Sequence, residues 1–135
     1  MKRVVLDASA LMTFFEDRPG AAKVEELLGG ATEGKLEILM CIVNWGEVYY
    51  SIWRTKGRKA AEATVAEIAQ LPIEIVEADF ELTKLAAALR AQLKLPYADC
   101  FAAALAHQHK AMVATADKDF TQVEQTVKIL WTTED

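Results

Sequence analysis

Apolar residues along this chain fall into two rhythms. Short runs at residues 3–6 (RVVL), 36–42 (LEILMCI), 73–76 (IEIV), 112–115 (MVAT) and 127–132 (VKILWT) read as strands. The first has no polar interruption, as expected of a strand buried on both faces. Between these runs, apolar positions recur three and four apart, the spacing of helices packed on one side.

Punctuation residues divide the helices. Leu11, Met12, Phe14 and Phe15 lie on a helix that Asp7 or Ser9 is placed to cap and that Pro19-Gly20 breaks. A second helix carries Val24, Leu27 and Leu28 as far as Gly29-Gly30. A third begins at Asn44 and ends at Gly57, and a fourth occupies residues 58–70 before Leu71-Pro72. Asp79 is placed to cap a fifth, with Leu82, Leu85, Leu89 and Leu93 spaced for burial; a sixth starts near Tyr97, just after Pro96, and runs to His109. Strands alternating with helices in this way predict an α/β fold, a mostly parallel sheet covered by helices on both faces.

Length and composition narrow this picture. A chain of 135 residues fits one domain, residues 1–135, and 53% apolar with 26% charged residues is ordinary for a globular protein. No apolar run is long enough to span a bilayer, and the start MKRVVLD is too short in apolar residues for a signal peptide, so a cytoplasmic protein is expected. Cys41 and Cys100 stand in apolar contexts outside any metal pattern and read as buried free thiols. The net charge of −5 argues against unassisted binding of nucleic acid.

The candidate chemistry is acidic. In open parallel sheets, ligands bind beyond the carboxyl ends of the strands. Asp7 follows the first strand directly, Asp117 follows the fourth by two residues, and Asp99 opens the sixth helix. Glu47 lies roughly 200° around its helix from Trp45, away from the stripe Trp45, Tyr49 and Trp53. Two carboxylates about 4 Å apart repel by roughly 4 kcal/mol at an effective dielectric of 20, so such a group calls for a cation. Oxygen donors without His or Cys suit Mg²⁺ or Mn²⁺ better than zinc.

Plainer readings stand beside these. Asp99 taken alone is a helix cap, and Asp119 is equally a cap for the turn before Phe120. Ser9 and Thr115 read first as local partners of backbone groups. Arg54, Lys56, Arg58 and Lys59 read first as a solvated helix junction and second as a site for RNA phosphates. His107 and His109 are surface residues at a helix C-terminus. The aromatic stripe serves partly as core and partly as interface.

Asp7 after an apolar strand, Glu47 in a helix, PYADCFAAALA around Asp99 and TADKDF at 115–120 together resemble the PIN-domain ribonucleases, and specifically the VapC toxins of toxin–antitoxin pairs. The resemblance covers essentially the whole chain. It implies a three-layer α/β/α sandwich with a five-stranded parallel sheet, and Mg²⁺- or Mn²⁺-dependent endonucleolytic cleavage of RNA. Asp7, Glu47, Asp99 and Asp117 match the family's acidic quartet, with Asp7 and Asp99 foremost as direct metal ligands and Asp119 a less constant fifth acid. Ser9 and Thr115 match small hydroxyl positions that flank the family's site. The resemblance further implies a cognate antitoxin as partner and a homodimer.

Two other classes are weighed against it. A phosphotransfer domain also uses an acidic pocket at strand ends, but a receiver expects adjacent acids after the first strand, and a DxDxT phosphatase expects Asp where Ser9 stands. A non-catalytic binding module of the same fold is opposed by the intact quartet.

Overall fold

A computed structural model describes residues 1–133. Five strands, β1 (Lys2–Leu6), β2 (Leu36–Cys41), β3 (Glu74–Val76), β4 (Met112–Thr115) and β5 (Ile129–Trp131), form one sheet in the order β3-β2-β1-β4-β5. Every neighbouring pair is parallel. From β1 the chain builds outward through β2 and β3, then crosses back to add β4 and β5 on the other side. The strand order therefore reverses between β1 and β4, the point at which α/β sheets open a crevice for ligands.

Period-two alternation on the central strands divides the core. Val4 and Leu6 of β1, with Ile38, Met40 and Ala114, face a layer made by α1 (Ala8–Phe15), α2 (Ala21–Thr32), α3 (Ile42–Lys56) and α4 (Arg58–Ile68). Val5, Leu39, Cys41 and Val113 face α5 (Phe80–Gln92) and α6 (Tyr97–His109). This is the expected three-layer sandwich, with both faces of the sheet covered. Residues 99–106 of α6 are all buried, and the many alanines among them let that helix lie close on the sheet. Cys41 and Cys100 are buried free thiols. Among the described residues, no helix is long and apolar enough to cross a membrane.

Boundaries differ from expectation at several elements. Helix α2 continues through Gly29-Gly30 to Thr32, where neither glycine is forced out of helical geometry by its surroundings. Helix α3 begins at Ile42, directly off β2, which makes Asn44 its third residue instead of its cap. A short 3₁₀ helix, Lys118–Val123, follows β4 and inserts Phe120 into the core. Gly57 does end α3 as expected: its φ of 95° is open to glycine at little cost, and it lets α4 start immediately.

Candidate active site

The carboxyl edge of β1 is where the first functional side chain is fixed. Asp7 is buried and is the N-cap of α1, accepting from the Ala10 N–H at 2.9 Å. Thr115, at the end of β4, donates its hydroxyl to Asp7 Oδ2 at 2.5 Å, and Ser9 donates to Asp7 Oδ1 at 2.9 Å. The two hydroxyls lie 3.2 Å apart and also accept backbone N–H groups, Ala116 onto Ser9 and Asp117 onto Thr115. Ser9 and Thr115 are thus more than local backbone partners. They tie the acid after β1 to the loop after β4, across the reversal of strand order.

That loop carries Asp117 and Asp119. Asp117 caps the 3₁₀ helix by accepting from the Asp119 N–H at 2.9 Å, so it is Asp117 that caps this turn, while Asp119 lies in its first turn. Asp99 lies in the first turn of α6, behind Pro96 at the cap position, and no backbone N–H among the described residues donates to its carboxylate. The capping explanation for Asp99 therefore fails. Asp99, Asp117 and Asp119 each bring one carboxylate oxygen within 4.8 Å of the others.

Glu47, half-buried on α3, completes the acidic neighbourhood. Its position depends on a residue that sequence reasoning treated only as a helix start. Asn44 is fully buried, and its amide donates to Glu47 Oε1 and to the Ala98 carbonyl, each at 3.0 Å. One side chain thus fixes Glu47 and joins α3 to the start of α6. The signal available in sequence was a polar residue three before a glutamate, inside the apolar segment CIVNWGEV.

The electrostatics follow from this crowding. Burial pushes the Asp7 carboxyl up from 3.8 to about 6, against the opposing effect of its hydrogen bonds from Thr115, Ala10 and Ser9. Asp99 is pushed up to about 8, first by burial and then by the charge of Asp117. A hydrogen bond between the Asp99 and Asp117 carboxyls adds to this, as do the charges of Asp7 and Glu47. Two carboxyls hydrogen-bond only when one holds a proton. Glu47 is also raised, by burial against the opposing Asn44 bond and further by Asp117. Among the described residues no basic side chain forms an ion pair with any of the five acids. Lys118, between two of them in sequence, is turned instead over the Trp131 ring, 4.6 Å from its centre.

An acidic cluster on the reversal point of a five-stranded parallel sheet can be compared with known proteins directly. A family model for the PIN domain matches residues 4–125. The chain belongs to the PIN-domain family. Its fold is shared with VapBC2 from Rickettsia felis, solved on a DNA fragment from its promoter, at a TM-score of 0.76 and 16% identity over 96% of this chain and 98% of that one. VapBC-1 from nontypeable Haemophilus influenzae superposes with a TM-score of 0.74 at 14% identity, covering 98% and 99% of the two chains. The Mycobacterium tuberculosis toxin VapC20, described as cleaving the Sarcin-Ricin loop, matches with a TM-score of 0.69 at 14% identity over 89% and 94%. No curated protein matches the chain by sequence. In this PIN domain the basic residues Arg54, Lys56, Arg58 and Lys59 are exposed around the junction of α3 and α4.

Proposed function

We propose that this PIN domain, spanning residues 1–135, is a divalent-metal-dependent endoribonuclease and the toxin half of a toxin–antitoxin pair in the cytoplasm. The observation that carries this reading is the gathering of Asp99, Asp117 and Asp119 oxygens within 4.8 Å, without a basic partner among the described residues, at the reversal of strand order. Likeness to VapBC complexes supports an antitoxin as partner, and the description of VapC20 supports RNA as substrate. A homodimer is part of the same reading.

The residues fit a hard cation. All candidate donors are carboxylate oxygens, and burial together with the charge of Asp117 raises both Asp99 and Glu47, the mark of a group in want of a positive charge. Asp99, Asp117 and Asp119 would hold Mg²⁺ or Mn²⁺ directly. Asp7 and Glu47 stand beside them, Asp7 with both oxygens already engaged by Ser9, Thr115 and Ala10. The ion, when bound, would supply charge stabilisation at the scissile phosphate and acidify a water. Glu47, held through Oε1 by Asn44, keeps Oε2 to take a proton from the attacking water. Asp7 keeps the β1 and β4 ends in register, so that the loop carboxylates Asp117 and Asp119 stay beside Asp99.

Incubation of the purified chain with a structured RNA tests this reading. Cleavage is expected with Mg²⁺ or Mn²⁺, none with EDTA, and a loss of about 100-fold or more in Asp99→Asn. Equal, metal-independent cleavage by both proteins would overturn it.

A further inference from the structure

Beside the acidic centre, α3 carries a second polar feature. Tyr50 and Arg54 follow Glu47 at three and seven positions. At about 100° per residue both lie within roughly 60° of it around the helix, and at about 1.5 Å per residue they stand roughly 5 and 10 Å further along. The face that begins at the acidic centre with Glu47 therefore continues outward through these two side chains. Tyr50 is 49% exposed. The Arg54 guanidinium carbon lies 5.2 Å from the centre of the Tyr50 ring. Among the described residues no carboxylate forms an ion pair with Arg54, whereas neighbouring Lys56 is turned to Glu16 at 3.8 Å.

From this placement we infer that Tyr50 and Arg54 form a binding subsite for single-stranded RNA, in which a base stacks on the Tyr50 ring and the adjoining phosphate pairs with Arg54. The inference rests on the nuclease reading above and deepens it, by naming where the substrate strand continues beyond the scissile phosphate. An exposed ring with a planar cation held against it is the combination that holds unpaired nucleotides without reading their sequence. Guanidinium also matches phosphate in a two-pronged geometry that an ammonium lacks. Charge complementarity favours RNA over an apolar partner. In a chain of net charge −5, a cation without an acidic partner among the described residues, one helical turn from a ring of the same face, supplies the local positive charge that a polyanion needs on its way to a cluster of acids.

The test is equilibrium binding of a fluorescently labelled, mixed-sequence single-stranded RNA ten-mer with Mg²⁺, over a series of salt concentrations. It uses the full chain in an Asp99→Asn background, in which cleavage is suppressed. Arg54→Ala is expected to weaken binding about tenfold and to reduce the slope of log affinity against log salt by about one. Tyr50→Ala is expected to weaken it about fivefold or more with the slope unchanged, and Tyr50→Phe, which keeps the ring, to bind like the background. Unchanged melting temperatures would show that these exposed substitutions leave the fold intact. If the background binds RNA and both alanine variants bind it equally well with the same slope, the subsite is wrong, the face is left for a protein partner, and the nuclease reading stands. If the background binds no RNA at any salt, both fall.

Discussion

Asp7 and Asp99 are both buried acids at the carboxyl edge of the same sheet, yet their surroundings are opposite. Asp7 accepts from a backbone N–H and two hydroxyls, caps α1, and joins β1 to the loop after β4. Asp99 accepts from no backbone N–H among the described residues and faces Asp117 and Asp119. Burial and the charge of Asp117 raise both, but at Asp7 three hydrogen bonds oppose the rise, whereas at Asp99 the charges of Asp7 and Glu47 add to it. The difference teaches that one corner of the site is built to be complete by itself, and the other to be completed by something positive. A carboxylate satisfied by donors is a fixture of the fold; one surrounded by its own kind is a demand for a ligand.

Breaking the satisfied corner should cost stability. Asp7→Ala, melted at pH 5 where little charge is relieved, is expected to lose about 2–3 kcal/mol, from a missing helix cap and one buried and one half-buried hydroxyl left without their acceptor. Asp7→Asn should stay within about 1 kcal/mol of wild type, since its amide oxygen still accepts from Ala10 and the hydroxyls can turn. A loss in Asp7→Asn as large as in Asp7→Ala would mean that the charge, not the hydrogen bonds, holds this corner.

Titration sharpens the contrast. A carboxyl raised by folding binds its proton more tightly in the folded state, so its contribution to stability is fully present below its unfolded value of 3.8 and is lost as pH rises through its folded value. For Asp7 that loss is complete above about 6 and amounts to roughly 3 kcal/mol. Asp99 extends the decline to about pH 8. Thermal melts in EDTA should therefore show stability falling from pH 5 to 8, and Asp99→Asn should flatten the upper part of the fall. The same variant at pH 7.5 should be more stable than wild type by about 1–2 kcal/mol, because Asn is neutral without having to take up a proton at that pH. A less stable Asp99→Asn would make Asp99 a structural residue after all.

The weakest expected effect concerns Asn44. Asn44→Ala should lower the cleavage rate about tenfold with little change in substrate KM, because Glu47 loses its anchor while the RNA-contacting surface is untouched. A change confined to KM would remove Asn44 from the positioning of Glu47.

Much of this molecule was legible in its sequence, for identifiable reasons. Unbroken apolar runs ending in Asp7 and just before Asp117 gave the strands and the acids at their ends, because a parallel sheet buried on both faces leaves little freedom in either pattern. The crowding around Asp99 was legible only as a sum of four weak placements. What escaped were contacts across the fold. Ser9 and Thr115 lie 106 residues apart, and that they share Asp7 depends on β4 adding beside β1, which no local pattern encodes. Asn44 was hidden because α3 starts two residues earlier than the turn signals suggest, moving it from a cap to a buried position. The contrast between a satisfied Asp7 and an unsatisfied Asp99 was invisible for the same reason: both read as an acid at the start of a helix.

Isothermal titration of the metal-free chain with Mn²⁺ at pH 7, repeated in two buffers of different ionisation enthalpy, counts the protons that leave as the ion enters. With Asp99 carrying a proton up to about pH 8, close to one proton should be released per ion bound, and Asp99→Asn should release almost none. Binding of Mn²⁺ with no proton release, or no binding at all, would contradict a cluster of acids held together in want of a cation.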